Sequence, residues 1–110
     1  MQRQYLLSRH KLIQAVRVLA IGPEDMRRRL PGVYPLLAEL STSDLPEVLR
    51  EDFEWVMSRL TAREPRWRGP NFWETPAEAS IAGMRNKTAV RIAERIFYIS
   101  ERLRDIAVGD

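Results

Sequence analysis

Residues 83–90 read Gly-Met-Arg-Asn-Lys-Thr-Ala-Val, and whether the chain turns here or runs straight through decides the architecture of its last third. Gly83 offers the local freedom of a turn. A turn between two crossing helices, however, should break the hydrophobic phase. At about 100° per residue, Ile81, Met84, Thr88, Ile92, Ile96, Ile99, Leu103 and Ile106 all fall within about 60° of one direction, so the phase passes Gly83 and Arg85 undisturbed. The spacing predicts one long helix over about 76–107, opened by Thr75-Pro76-Ala77-Glu78, which combines a capping box with a proline at the first helical position. At ~1.5 Å per residue it would be about 47 Å long. A bend near Gly83 stays open.

Upstream, residues 4–21 read as a first helix with Leu6, Ile13, Val16 and Ala20 along one stripe, stopped by Gly22-Pro23. Gly22-Pro23-Glu24-Asp25 then starts a short helix that Leu30-Pro31-Gly32 ends after one or two turns, and Tyr34 to Leu40 is a further helical turn. Asp44-Leu45-Pro46-Glu47 has the form of a capping box opening a third helix. Its apolar residues Leu49, Phe53, Val56, Met57 and Leu60 fall at i, i+4, i+7, i+8 and i+11. Residues 62–74 contain two prolines and a glycine and are read as a long loop. No alternating strand pattern occurs. The expected class is all-α, a small bundle of three main helices plus one or two short helical turns, with a long C-terminal helix and antiparallel neighbours.

A chain of 110 residues fits a single helical domain over 1–110, burying roughly two thirds of the unfolded surface. With 45% hydrophobic and 30% charged residues, its composition is that of a soluble globular protein. No segment approaches the ~18 uninterrupted apolar residues of a membrane span, and no apolar stretch of signal length opens the chain. The expectation is a cytoplasmic protein without membrane contact. Cysteine is absent and histidine occurs once, which leaves neither a zinc constellation nor a Cys/His or Ser/His/Asp nucleophile system. There is no glycine-rich phosphate loop. No catalytic activity, cofactor or metal is therefore expected.

The net charge of +3 hides a division along the chain. Residues 1–30 carry seven basic and two acidic groups, residues 31–62 two basic and six acidic, and residues 63–110 nine basic and seven acidic. Sixteen of the eighteen cations are arginines, the residue best suited to phosphate forks and stacked contacts. Four features follow from their placement. In the loop, Arg63, Arg66 and Arg68 interleave with Trp67, Phe72 and Trp73, the residue types that dominate protein interfaces and also stack nucleobases. Arg27, Arg28 and Arg29 form a basic knuckle. Lys87, Arg91, Arg95 and Arg102 run along one side of the last helix and could follow a phosphate backbone, although Glu94, Glu101 and Asp105 lie beside them. Lastly, helical phase places Arg85 on the apolar face, where a guanidinium requires a partner. Glu51, Asp52 and Glu54 are the candidates, with an anion or partner site near His10 as the other reading.

Three likenesses accompany these readings. Ala79, Gly83, Met84, Ala89 and Ile92 have the spacing of a helix-turn-helix, which would suit DNA; the continuous phase argues against it. Arg85-Asn86 followed by Lys-Thr-Ala-Val resembles the Arg-Asn-x-x-x-His signature of HEPN domains, all-α proteins that are often ribonucleases or nucleotide-binding partners. Val90 stands where that signature has histidine, so the resemblance implies at most an inactive relative. The blocks AVRVLAIGPEDMRRRL, LPEVLREDFEWVMSRLT and MRNKTAVRIAERIF resemble a family of short all-α bacterial proteins. That resemblance implies a free-standing bacterial protein and brings no activity or catalytic residue with it.

Together these features predict a non-catalytic protein that acts by binding a protein partner. It would serve as an accessory or regulatory subunit, with a mobile-element or defence system among the settings, and homo-oligomers are allowed. The contact surface would be Arg63, Arg66, Trp67, Arg68, Phe72 and Trp73. The alternative is nucleic-acid binding through the arginine clusters, as a degenerate HEPN-like domain in one version.

Overall fold

Turn chemistry prevails over hydrophobic phase at Gly83. The fold is that of a computed structural model, which describes residues 5–22, 24–64, 67–69 and 72–109, the side chains of 67–69, 72–73 and 107–109 excepted. In it the helix opened by Thr75 stops at Ala82 and another begins at Asn86. The Gly83 N–H donates to the Ala79 carbonyl (3.3 Å) and the Met84 N–H to that of Ile81 (3.1 Å), closing the first helix; the Arg85 carbonyl accepts from the Ala89 N–H (3.1 Å), opening the second. The single helix predicted over 76–107 is thus two. Phase survives the break because Ile81 and Met84 are both buried. A core requires only that each segment turn its apolar side inward, and a three-residue connection meets that requirement as well as a continuous helix.

In chain order the elements are α1 (Leu6–Ile21), α2 (Met26–Ala38), a 3-10 turn (Thr42–Asp44), α3 (Glu47–Leu60), β1 (Trp67–Gly69), β2 (Phe72–Trp73), α4 (Pro76–Ala82) and α5 (Asn86–Gly109). The class is all-α, as predicted. The two strands pair antiparallel, Trp67 opposite Trp73 and Gly69 opposite Phe72, within the predicted loop. Strands of three and two residues are too short to show alternation. The 24 residues of α5 extend about 36 Å and form the spine of a particle measuring 51 × 26 × 19 Å. Ile92, Ile96, Ile99 and Leu103 are buried along it, and α1, α2 and α3 all pack against it.

The second helix also departs from expectation. Pro31 and Gly32 do not end it, and the predicted turn at Tyr34–Leu40 belongs mostly to the same helix; both Pro31 and Pro35 lie inside α2. An interior proline costs about 3 kcal/mol, a penalty that local sequence reading treats as decisive. Leu30, Val33 and Leu37 fall at i, i+3 and i+7 and are all but fully buried, each contributing about 1.5–3 kcal/mol. Only a continuous helix puts the three on one face. Gly32 adds a packing reason, since a Cβ there would stand 3.1 Å from Val18 Cγ1 on α1.

Capping differs in a similar way. Asp44 does not open α3. Its carboxylate accepts from the Ser41 N–H (2.8 Å) and completes a capping box on the 3-10 turn, so α3 begins after Pro46 without a side-chain cap. The Thr75 box is formed as predicted: Thr75 Oγ1 accepts from the Glu78 N–H (3.1 Å) and Glu78 Oε1 from the Thr75 N–H (3.0 Å). Thr75→Ala is expected to destabilise the protein by about 1 kcal/mol in urea unfolding, and Thr75→Ser to cost almost nothing. Equal losses for the two would show that the hydroxyl is not what matters there.

On α1 the predicted stripe faces the wrong way. Leu6, Ile13 and Ala20 are exposed and Val16 is half-buried, whereas Ser8, Leu12, Ala15 and Leu19 are buried. Both sets recur at the same alternation of four and three residues, so periodicity alone does not choose between them. Polarity does, because the outer stripe also carries His10 and Arg17, whose burial would strand an imidazole and a guanidinium. Ser8 is buried at little cost, since its Oγ donates to the Asp44 carbonyl.

Candidate functional site

Several of the arginines predicted to meet a partner, Arg27, Arg29, Arg63 and Arg95, are engaged within the fold. Arg29 donates from Nη1 to the Leu19 carbonyl (2.9 Å) and from Nη2 to the Glu24 carbonyl (2.7 Å), satisfying the end of α1 and the connection that follows it. Glu24 there has φ of 61°, in the left-handed region. Arg27 donates its backbone N–H to Asn86 Oδ1 (3.2 Å) and a guanidinium N–H to the Met84 carbonyl (3.4 Å), tying the start of α2 to the α4–α5 break. Arg28 alone of the three stays well exposed, 3.4 Å from Glu24 in an i,i+4 pair. The predicted basic knuckle is therefore mainly a set of internal caps.

The stripe on α5 is divided likewise. Arg95 turns towards α3, where Asp52 accepts its Nη1 at 2.7 Å and the Trp55 ring lies 4.7 Å from its guanidinium carbon. Lys87, Arg91 and Arg102 remain exposed, interspersed with Glu94 and Asp105, and Glu101 pairs with Arg104 at 3.1 Å. Asp52 is thus taken by Arg95, not by Arg85. Arg85 is exposed, which corrects its assignment as a buried charge; the helix break moves it off the apolar face that a continuous helix would have given it. His10 is exposed on α1, and no hydrogen bond or ion pair joins it to Arg85 among the described residues.

Of the predicted contact loop, Arg63 is described in full. Its backbone N–H donates to Ser80 Oγ (2.9 Å) and its Nη2 to the Gly83 carbonyl (3.4 Å). Gly83 makes that approach feasible, because a Cβ would lie 2.1 Å from Arg63 Nη1. Trp67, Arg68, Phe72 and Trp73 belong to the hairpin by their backbone, but their side chains, and Arg66 altogether, lie outside the described residues.

Three surface features come into view that the sequence did not single out. A cleft of about 990 Å³ runs between α2 and α4, floored by Pro31, Tyr34, Pro35, Ala77 and Ile81 and flanked by Glu74 and Thr75, where the hairpin ends. A smaller depression of about 320 Å³ lies where α3 ends against the α4–α5 break, and it brings Arg59, Arg63 and Arg85 together. The sequence concealed this trio because its members are 4 and 22 residues apart; a charge scan along single helices does not join them.

The third feature is the outer side of α1. Leu6, His10, Ile13, Arg17 and Ala20 follow one another at steps of four, three, four and three residues and are all exposed, on roughly the opposite side from Leu12, Ala15 and Leu19. Ile13 is 47% accessible, and Leu7 and Ile21 at the margins are 55% and 76% accessible. No acidic residue occurs in α1. No helix among the described residues is long and apolar enough to cross a membrane. No protein family, curated protein or solved structure matches the chain, so the likenesses noted above rest on their residues alone.

Proposed function

We propose that the protein is a non-catalytic binding subunit that receives one amphipathic helix of a protein partner along the outer side of α1. The observation that carries this reading is the exposed seam Leu6-His10-Ile13-Arg17-Ala20. Its alternation of four- and three-residue steps is the spacing by which helices pack side by side, and the stripe on the other side of the same helix already packs in this way inside the bundle. Scattered exposed leucines need no explanation. An ordered seam in which Leu6, Ile13 and Ala20 alternate with His10 and Arg17, flanked by Leu7 and Ile21, does.

The charge of the seam defines the occupant. His10 and Arg17 sit between the apolar positions, and α1 offers no carboxylate to balance Arg17. A second α1 is a poor partner, because it brings another Arg17 and no carboxylate to the pairing. A helix with leucine-like residues framed by Asp or Glu satisfies both kinds of position.

The test uses two synthetic amphipathic helices with identical apolar positions, one flanked by glutamates and the other by lysines, titrated against the fluorescently labelled protein. The glutamate helix is expected to bind, and the double variant Ile13→Glu/Arg17→Glu to weaken it about tenfold or more without changing the melting curve. Equal binding of both helices, or none of either, would sink the proposal. So would a wild-type dimer dispersed by Ile13→Glu, which would name a second copy as the occupant. Association with anionic vesicles in preference to the glutamate helix would point instead to a membrane surface.

A further inference from the structure

We propose that the depression formed by Arg59, Arg63 and Arg85 is a binding site for a phosphate monoester, separate from the helix-docking seam. Three guanidinium groups line it, together with the hydroxyl-bearing Ser80 and Thr88, and no carboxylate does so among the described residues. Arg59 is held over Trp55, its guanidinium carbon 5.4 Å from the ring centre, and Arg63 is held against the Gly83 carbonyl. Neither contact is an ion pair. The Arg85 guanidinium is exposed, and no hydrogen bond or ion pair engages it among the described residues.

The helix that begins here sharpens the imbalance. A helix start favours negative charge, yet the first turn of α5 contains no acidic residue, includes Lys87 and is preceded by Arg85. Arg29 and Arg95, by contrast, are engaged as a cap and in an acid pair. Here the fold gathers three, and no carboxylate pairs with any of them among the described residues. A tetrahedral dianion matches this arrangement: forked guanidinium donors bind phosphate oxygens in pairs, and the free N–H groups of the α5 start add the same polarity. At about 320 Å³ the depression holds one phosphoryl group with a small substituent, which favours a monoester over a polymer backbone. Gly83 contributes by sterics, since any side chain there displaces the Arg63 guanidinium.

The experiment is an NMR titration of the full chain at constant ionic strength with inorganic phosphate, phosphoserine and, separately, sodium chloride. Saturable amide shifts around Ser80, Thr88 and Ala89 are expected with phosphate and phosphoserine and not with chloride. The free anion and the esterified group are distinguished by which binds more tightly. Arg85→Gln should weaken binding about tenfold or more, Arg85→Lys less, and Arg102→Gln not at all. Phosphoserine binding should fall as pH drops through about 6, where the ligand loses its second charge. The Ile13→Glu/Arg17→Glu variant should bind phosphoserine as wild type does, which keeps this proposal and the docking proposal separately testable. Equal shifts with chloride, or phosphate binding indifferent to Arg85→Gln, would overturn the assignment. Binding confined to duplex DNA and lost on changing Lys87 and Arg91 would also do so, in favour of a polymer track along α5.

Discussion

Ile96→Ala should cost about 3 kcal/mol of folding stability, visible as a lowered urea midpoint and a melting temperature reduced by about 10–20 °C. Ile96 is completely buried near the middle of α5, the helix against which α1, α2 and α3 all pack. Truncating it removes its transfer free energy and opens a cavity that rigid neighbouring helices fill only partly. A protein of this size has a total stability of about 5–15 kcal/mol, so one such change consumes a large share. Phe97 is the internal control, since it is larger, adjacent and 53% accessible. Phe97→Ala should stay within about 0.5 kcal/mol of wild type. If both substitutions cost the same, α5 does not present the face described.

Gly22→Ala is expected to cost about 2 kcal/mol, although its backbone (φ −66°, ψ 156°) suits any residue. The requirement for glycine is steric. An added Cβ would lie 2.7 Å from the Val18 carbonyl oxygen and 2.8 Å from Arg29 Cγ. The Val18 carbonyl is not free to yield, because it accepts the Gly22 N–H at 2.9 Å. Arg29 is hardly freer, because its guanidinium holds two carbonyls. Relief therefore breaks caps at the end of α1 and loses hydrogen bonds worth about 1 kcal/mol each. Gly83→Ala provides the contrast: its closest obstacle is the end of the Arg63 side chain, which can swing away, so the loss should be under about 1 kcal/mol. Urea unfolding of the two variants compares them directly. Equal losses would mean that contact with backbone is not what requires glycine at position 22.

These contrasts show what was legible in the sequence. The all-α class, the buried face of α3 and the Thr75 capping box were readable because each is written in one local pattern. The break at Gly83 was not, since phase records which side faces the core and not whether the axis continues. The passage of α2 through two prolines was hidden for the opposite reason: a local penalty is outweighed by burial against elements distant in the chain. The choice of face on α1 depended on two polar side chains, His10 and Arg17, more than on the aliphatic residues that carried the prediction. Arg85 was expected on the apolar face and is exposed, and its proximity to Arg59 was not legible because the two lie on different elements. The arginine tripeptide at 27–29 looked like a surface for ligands, and two of its three members instead cap backbone, a role that charge counting does not reveal.

The bond from the Arg27 N–H to Asn86 Oδ1 spans 59 positions. An N-terminal helical turn is ordinarily the first part of a helix to fray, since its amides lack partners. Here one such amide is satisfied by the residue that begins the last helix, so the first turn of α2 is complete only once the chain has closed a loop of that length. Closing it carries an entropic cost that grows only slowly with length, but it has to be met before the contact contributes anything. The start of α2 and the start of α5 are thus stitched at one corner, so that fraying at residue 27 and undocking at residue 86 oppose each other.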